Sequence, residues 1–285
     1  MTTPVSSRCP LRPFVAALAF LVLSSCGGGV KMGAIRSMNE VAVVSIGAPT
    51  ARDIVHREFD RFTYDDRQGD LHFSAAMERT HEYLFGEFAT TVPFSLSDET
   101  PILQSGSYQT LTVTEGRMAA LARRQRSTSF ATPKQYRSFD AGYLQDDALQ
   151  KLYAALPSSP DGVLLATTRY RVLRDDVKHE EREERIERAK SSEEEFKEVM
   201  KSSPALTDGD RVSLDIKART TIEVLDRRGN TVLEMTQRAR SETAFTFTYG
   251  EGWNTAQTKT AMLEATNEAL AEVTASLKEA LPTSP

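Results

Sequence analysis

Histidine and carboxylate side chains are the groups of this chain most able to perform acid–base or metal chemistry. His81 and Glu82 begin the helical H-E-x-x-H pattern of zinc proteases, but position 85 is occupied by Phe85, so the second histidine ligand is absent. The remaining histidines have no partner at the spacing of metal ligands: His56, His72 and His179. These positions therefore predict no metal site.

Other motifs of catalysis and cofactor binding are also missing from the sequence. Asp208-Gly209-Asp210 starts like a calcium-binding loop but lacks the later ligands, which favours a turn before a strand. The chain contains no G-x-S-x-G nucleophile motif, no P-loop and no G-x-G-x-x-G. We therefore predict no catalytic residue and no cofactor.

Cys26 is the remaining residue with distinctive chemistry, because of what precedes it. Arg8 and Arg12 form a positive N-terminal region, and Phe14 to Leu23 is an unbroken apolar run. That run is shorter than the roughly 20 residues that a membrane-spanning helix needs. Its length and flanks are typical of a secretory signal peptide.

The stretch Leu23-Ser24-Ser25-Cys26 resembles the lipobox of bacterial lipoproteins. This resemblance implies removal of residues 1–25 and acylation of the Cys26 sulfur, which would anchor the protein permanently in a membrane. Residue 27 is glycine, whereas an aspartate there commonly retains lipoproteins at the inner membrane; this implies the outer membrane, facing the periplasm. The alternatives are an ordinary cleaved signal peptide and a short buried helix.

Composition limits the partners and the sources of stability. The chain has 285 residues, 40% of them hydrophobic, and a formal net charge of −5, which becomes more negative once a leader containing two arginines is removed. An acidic balance argues against nucleic acid. Cys9 leaves with the leader and Cys26 would be acylated, so no intramolecular disulfide is expected and stability must come from core packing.

The body is expected to begin after a short linker. Residues 26–40, which open with three glycines, predict a flexible tether. Val41 to Ile46 is a β-branched run typical of a strand buried on both faces. We expect residues 41–285 to form one domain.

Helices are predicted from apolar spacing and caps. Ser74 is a candidate N-cap for a helix whose inward face holds Met77, His81, Leu84, Phe85 and Phe88. Residues 114–125 and 146–156 predict two more helices. Asn254 and Gln257 match a capping box that opens a last helix with an apolar stripe: Met262, Ala269, Val273, Leu277 and Leu281.

The remaining strands predict the fold class. Residues 92–96 favour an edge strand, because Pro93 cannot donate to a neighbour. Val163 to Leu173 predicts a strand that begins fully apolar and then alternates. Residues 212–224 alternate strictly, turn at 226–230 and return over 231–248 as a long antiparallel hairpin. We expect an α/β (α+β) fold with a mixed sheet of about four to five strands and helices packed on it.

This order of elements is similar to the α/β domain of several envelope lipoproteins. The Val41 to Ile46 strand, the Asp161-Gly162-Val163 turn into a strand and the hairpin followed by a helix resemble the curli-secretion lipoprotein, the lipoproteins that activate peptidoglycan synthases and the N-terminal domain of the Tol-system periplasmic protein. The resemblance implies an envelope lipoprotein, and the missing catalytic motifs, together with a tethered acidic domain that carries a charged arm, favour a non-enzymatic role.

Residues 174–210 form a highly charged insertion between two predicted strands. Glu181 with Arg185 and Glu184 with Arg188 are spaced as i, i+4 ion pairs, which favours helix. We expect a charged helical hairpin or a broken helix. It is either a solvated excursion or a docking arm for a partner protein.

Tyr249 and Trp253 lie in a glycine-containing loop between the last strand and the last helix. Trp253 is the only tryptophan of the chain. Its ring either packs at the start of the helix or, with Tyr249, forms a partner-binding contact, since these residue types are favoured interface anchors.

Two functions fit the sequence. The first is a membrane-anchored envelope lipoprotein that acts without catalysis as a scaffold, assembly or regulatory factor, with a protein partner and no nucleic acid or metal. The alternative is an envelope hydrolase whose catalytic residues are dispersed along the chain. Convergence of histidine, serine or carboxylate side chains in a deep pocket would favour the hydrolase, whereas an open sheet face or an exposed apolar patch near Trp253 would favour binding.

Overall fold

A computed structural model describes most of the body of the chain. Within it, helices cover a mixed sheet of eight strands, which confirms the predicted α/β class. The prediction of four to five strands was too low, because two-residue strands and a division of the last long strand add to the count. The described residues are 29–49, 71–111, 130–139, 144, 147–174, 209, 211–248 and 251–281.

The strands follow the order β2-β1-β4-β5-β7-β8 across the sheet, with β3 beside β1 and β6 beside β5. Strand β1 runs parallel to β2 and β4, and the other pairs are antiparallel. Their bounds are β1 Glu40–Pro49, β2 Ser95–Leu96, β3 Phe130–Ala131, β4 Gly162–Arg174, β5 Arg211–Asp226, β6 Thr231–Arg240, β7 Phe245–Thr248 and β8 Gly252–Trp253.

Strand β5 is the longest strand, and its second edge is shared by two partners. Residues 211–214 pair with β7, and residues 217–225 pair with β6. The single return strand predicted over 231–248 was therefore wrong. Ser241 explains the break: its N–H donates to Ile216 O at 2.8 Å, and its Oγ accepts from Ile216 N at 3.0 Å. These bonds complete the β5 edge where the chain leaves β6.

The predicted hairpin turn is present between β5 and β6. The Asp226 carboxylate accepts from the backbone N–H groups of Arg228 and Asn230 at 2.8 and 2.9 Å. Gly229 has a φ of +79°, which favours glycine. Burial would raise the pKa of Asp226, but its hydrogen bonds with Asn230 and Arg228 lower it overall.

Seven helices are described, and a π-helical turn at Leu84–Phe88 joins two of them into one continuous element. The first of these two begins at Phe73, so the predicted N-cap Ser74 lies inside its first turn. The bounds are α1 Met32–Arg36, α2 Phe73–Tyr83, α3 Ala89–Thr91, α4 Glu99–Gln104, α5 Gly106–Thr110, α6 Asp147–Ala155 and α7 Thr255–Ala280.

The main core lies between one face of the sheet and helices α2 and α7. The predicted N-cap of α7 is confirmed, with Gln257 N–H donating to Asn254 Oδ1 at 3.2 Å. The reciprocal bond of a capping box is replaced, because Asn254 N–H donates to Thr246 O and Gln257 Oε1 accepts from Thr246 N–H. Its predicted apolar stripe is buried at Met262, Ala269, Val273 and Leu277, while Leu281 packs partly buried at the end. A smaller core under α4, α5 and α6 covers the other face near β1 and the start of β4.

The segment predicted as a flexible tether instead joins the fold from Gly29 onward. Lys31 N–H donates to Val232 O at 2.8 Å, and Glu234 N–H donates to Gly29 O at 3.2 Å, so this segment pairs with the outer edge of β6. Ile35 of α1 is fully buried. The tether prediction was wrong for residues 29–40, because the open edge of β6 supplies hydrogen-bond partners and the core accepts Ile35.

Several predictions lie outside the described residues. They are the leader 1–25, the helix over 114–125 and the charged helical insertion 174–210 apart from Arg174 and Gly209. Among the helices that the structure describes, none is long and apolar enough to cross a membrane.

Substituting Ile35→Ala tests whether α1 belongs to the folded body. We expect the free energy of unfolding to fall by about 2–5 kcal/mol, the usual range for truncating a fully buried isoleucine. Urea denaturation measures it, and Arg36→Ala, at an exposed neighbour in the same helix, serves as the control. Equal stability of both variants would mean that the segment is a loose tether.

Candidate functional site

The Glu99 carboxylate gathers three hydrogen-bond donors, the strongest convergence of chemically able groups in the described chain. His81 Nε2 lies 2.6 Å from Glu99 Oε2, and Tyr136 Oη donates to the same oxygen at 2.9 Å. Lys134 Nζ forms an ion pair with the other oxygen, Oε1. These four residues are called the Glu99 cluster below.

Three separate elements position the Glu99 cluster. His81 lies in the last turn of α2, Glu99 opens α4, and Lys134 and Tyr136 belong to the segment after β3. Lys134 has a φ of +50°, and its N–H donates to Glu78 Oε1 at 3.3 Å. The cluster thus ties α2, α4 and this segment together at one end of the sheet.

The contacts of the Glu99 cluster shift the pKa values of Glu99 and Tyr136. Burial would raise the pKa of Glu99, but hydrogen bonds from Lys134, His81 and Tyr136 outweigh it and lower the pKa below the ordinary glutamate value. Burial, followed by the neighbouring Glu99 carboxylate, raises the pKa of Tyr136. At neutral pH, Glu99 is an acceptor and Tyr136 is a donor.

A histidine beside a carboxylate is a common acid–base arrangement, but here the carboxylate already accepts on both oxygens. His81 is 8% exposed and packs against the Phe85 ring at 4.8 Å between centroids. Both Glu99 oxygens are occupied by donors from the protein itself. The geometry therefore supports a structural clamp.

The inward face predicted for the α2 helix is confirmed at His81, while its partners were missed. Glu99, Lys134 and Tyr136 lie 18, 53 and 55 residues from His81 along the chain, and they meet only through the fold. No local spacing carries that signal. The one usable hint was that a histidine on an apolar helix face needs a polar partner.

Trp253 of β8 is 7% exposed. Its ring packs against Phe247 and Phe245, with centroid distances of 4.8 and 5.6 Å. This position matches the packing interpretation of the loop. Tyr249, the other candidate for partner binding, lies outside the described residues, and so does Cys26, the predicted acylation site.

Metal-binding geometry is absent from the part of the chain that the structure describes: no group of three or more His, Cys, Asp or Glu side chains is placed to hold an ion. His72 Nε2 instead lies 3.1 Å from Thr255 O at the start of α7.

Known proteins add no assignment. Neither models of protein families, nor curated protein sequences, nor solved structures match this chain.

Replacing Glu99→Gln tests the clamp. We expect a loss of about 1–3 kcal/mol of unfolding free energy at pH 7, because the charge-assisted hydrogen bonds are weakened. The pKa of Glu99 is lowered in the fold, so its stabilisation is present at neutral pH and is lost as pH falls below about 4.5 through the folded-state pKa. The difference between variant and wild type should therefore shrink in acid.

Denaturation curves at pH 7 and in acid measure this difference, with Glu82→Gln, an exposed neighbour of His81, as the control. A difference that is zero at pH 7, or that grows in acid, would contradict the clamp.

Fluorescence of the single tryptophan tests the burial of Trp253. In the folded protein we expect emission at short wavelength and weak quenching by iodide, with both properties changing on unfolding, because the indole lies among aromatic rings. Free N-acetyltryptophanamide provides the reference. Quenching of the folded protein as strong as that reference would show the ring to be exposed to solvent.

Proposed function

We propose that this protein is a lipoprotein of the bacterial envelope, anchored through acyl chains on Cys26, that acts without catalysis as a scaffold, assembly or regulatory factor for a protein partner. The observation that carries the proposal is the pairing of Gly29 to Lys31 with the edge of β6. The folded body thus begins three residues after the predicted acylation site.

The short connection limits the distance between the predicted acylation site and the folded body. Three residues span at most about 10–11 Å, even when fully extended. A body joined to the membrane by so short a segment is held close to the bilayer surface. Such restraint suits a protein that presents a surface to neighbouring envelope proteins, since tethering raises the effective concentration of a partner.

The Glu99 cluster supports the non-enzymatic interpretation over the envelope hydrolase. A general base needs an oxygen or nitrogen that is within reach of substrate and able to accept a proton. In the His81–Glu99 pair, each carboxylate oxygen already accepts from His81, Tyr136 or Lys134. Substrate would have to displace these donors before Glu99 could act, and His81 is only 8% exposed, which restricts its contact with a substrate.

Mass spectrometry of the mature N-terminus, after expression in a bacterium with a lipoprotein-processing pathway, tests the proposed anchor. We expect a chain that begins at Cys26 and carries acyl groups, and incorporation of labelled palmitate that is lost in Cys26→Ser. Cys9→Ser provides the matched control, because Cys9 would leave with the leader. An unmodified Cys26, or a different first residue, would refute the anchor.

Crosslinking in intact cells, followed by purification and protein identification, tests the scaffold role. The anchored protein should yield a defined envelope partner, and Cys26→Ser should lose it. Hydrolysis of an envelope substrate by the purified protein, abolished by Glu99→Gln without loss of folding, would instead favour the hydrolase.

A further inference from the structure

Six cationic residues stand in register on three adjacent strands. Arg169, Arg219 and Arg238 are direct cross-strand neighbours on β4, β5 and β6. Two residues further, a second row repeats the pattern with Arg171, Lys217 and Arg240. All six residues are exposed, and together they are called the basic face.

The basic face lies on the side of the sheet opposite α7. Tyr170, which alternates with Arg169 and Arg171, bonds through its hydroxyl to Thr266 of α7 at 2.8 Å. On the basic side, the hydroxyls of Thr221 and Thr236 meet at 3.0 Å beside the first row. The alternation of the strands thus directs the six cations away from the main core.

This arrangement works against folding. Like charges directly opposite one another on neighbouring strands are destabilising. The Asp215 carboxylate pairs with Arg240, but Arg171, Lys217, Arg219 and Arg238 make no hydrogen bond or ion pair with any described residue. The chain is acidic overall, so this concentration of positive charge does not follow from its composition.

We propose that the basic face binds the anionic phospholipid headgroups of the bilayer that anchors the protein. Neighbouring strands are about 4.8 Å apart, and alternate residues of a strand about 6.6 Å apart, so the six cations form a shallow lattice. Within it, Arg171, Lys217, Arg219 and Arg238 are the cations best placed to meet a plane of phosphates, since Arg240 already pairs with Asp215. Each Lys or Arg near an anionic bilayer adds attraction, so several together orient a surface toward it.

The position of the predicted anchor supports the bilayer as the occupant. Strand β6 carries Arg238 and Arg240 and also pairs, at Val232 to Glu234, with the segment that follows Cys26. The segment that follows the predicted anchor and two of the six cations therefore meet on the same strand. Stable membrane attachment commonly combines a lipid with a basic surface. The support that comes from the Cys26 anchor rests on the proposed function, whereas the charge pattern of the basic face is independent of it.

A site-specific label tests the proposal on the full chain purified from bacterial membranes. Ser213→Cys places a fluorophore on the same side of β5 as Lys217, and Ala275→Cys places one on the exposed side of α7. Acylated protein is reconstituted into vesicles of neutral phosphatidylcholine, or of phosphatidylcholine with phosphatidylglycerol, both containing headgroup-quencher lipid.

We expect quenching at position 213 to be greater on anionic than on neutral vesicles, and this difference to disappear in high salt. The label at 275 should show no such difference. Arg219→Gln with Arg238→Gln should abolish the difference at 213, whereas Lys259→Gln with Lys278→Gln, which removes the same charge from α7, should preserve it. Equal quenching at 213 on both vesicles, or shielding of that label before vesicles are added, would overturn the proposal.

Vesicle flotation tests membrane binding by the basic face independently of acylation at Cys26. If Cys26 proves unacylated, the protein is mixed with the two kinds of vesicle and floated on a density gradient. Flotation with the anionic vesicles alone would uphold the basic face without the anchor. Flotation with neither, or binding to heparin without binding to anionic vesicles, would reject a bilayer as the occupant.

Discussion

The hydrogen-bonding demand of one long strand organises the described fold. Strand β5 spans Arg211 to Asp226, and β4 pairs with one edge of it from Leu214 to Asp226. No single return strand completes the other edge: β6 pairs along one part, β7 along another, and Ser241 bonds to Ile216 between them. Because β6 then becomes an outer strand, its free edge is available to the N-terminal segment, and that contact brings the start of the body to the side of the sheet.

One face of the sheet is apolar and covered by helices, whereas the other carries exposed cations over part of its area. Helices α2 and α7 bury one face in an apolar core, which supplies stability to a body that is expected to have no disulfide. The other face is covered near β1 by the smaller core but presents the basic face over β4, β5 and β6. Stability and surface chemistry are thus separated by the alternation of side chains along the same strands.

Sequence patterns predicted what depends on local periodicity, and missed what depends on contacts distant in the chain. The cap at Asn254, the buried stripe of α7 and the turn at Asp226 follow from spacings of a few residues, and all were found. The division of β6 from β7 and the pairing of Gly29 with Glu234 depend on how strand edges meet in space. The Glu99 cluster and the basic face likewise arise from register, because alternating exposed arginines on one strand look like any solvated face until their neighbours are known.

The close junction between the N-terminal segment and β6 sets where a Cys26 anchor would hold the body. Hydrogen exchange of individual amides in the acylated, membrane-bound protein measures this junction directly. Lys31 and Glu234 should exchange slowly, because their N–H groups donate to Val232 O and Gly29 O. Exchange of both amides at the rate of an unstructured peptide, while β5 remains protected, would contradict the junction and the orientation derived from it.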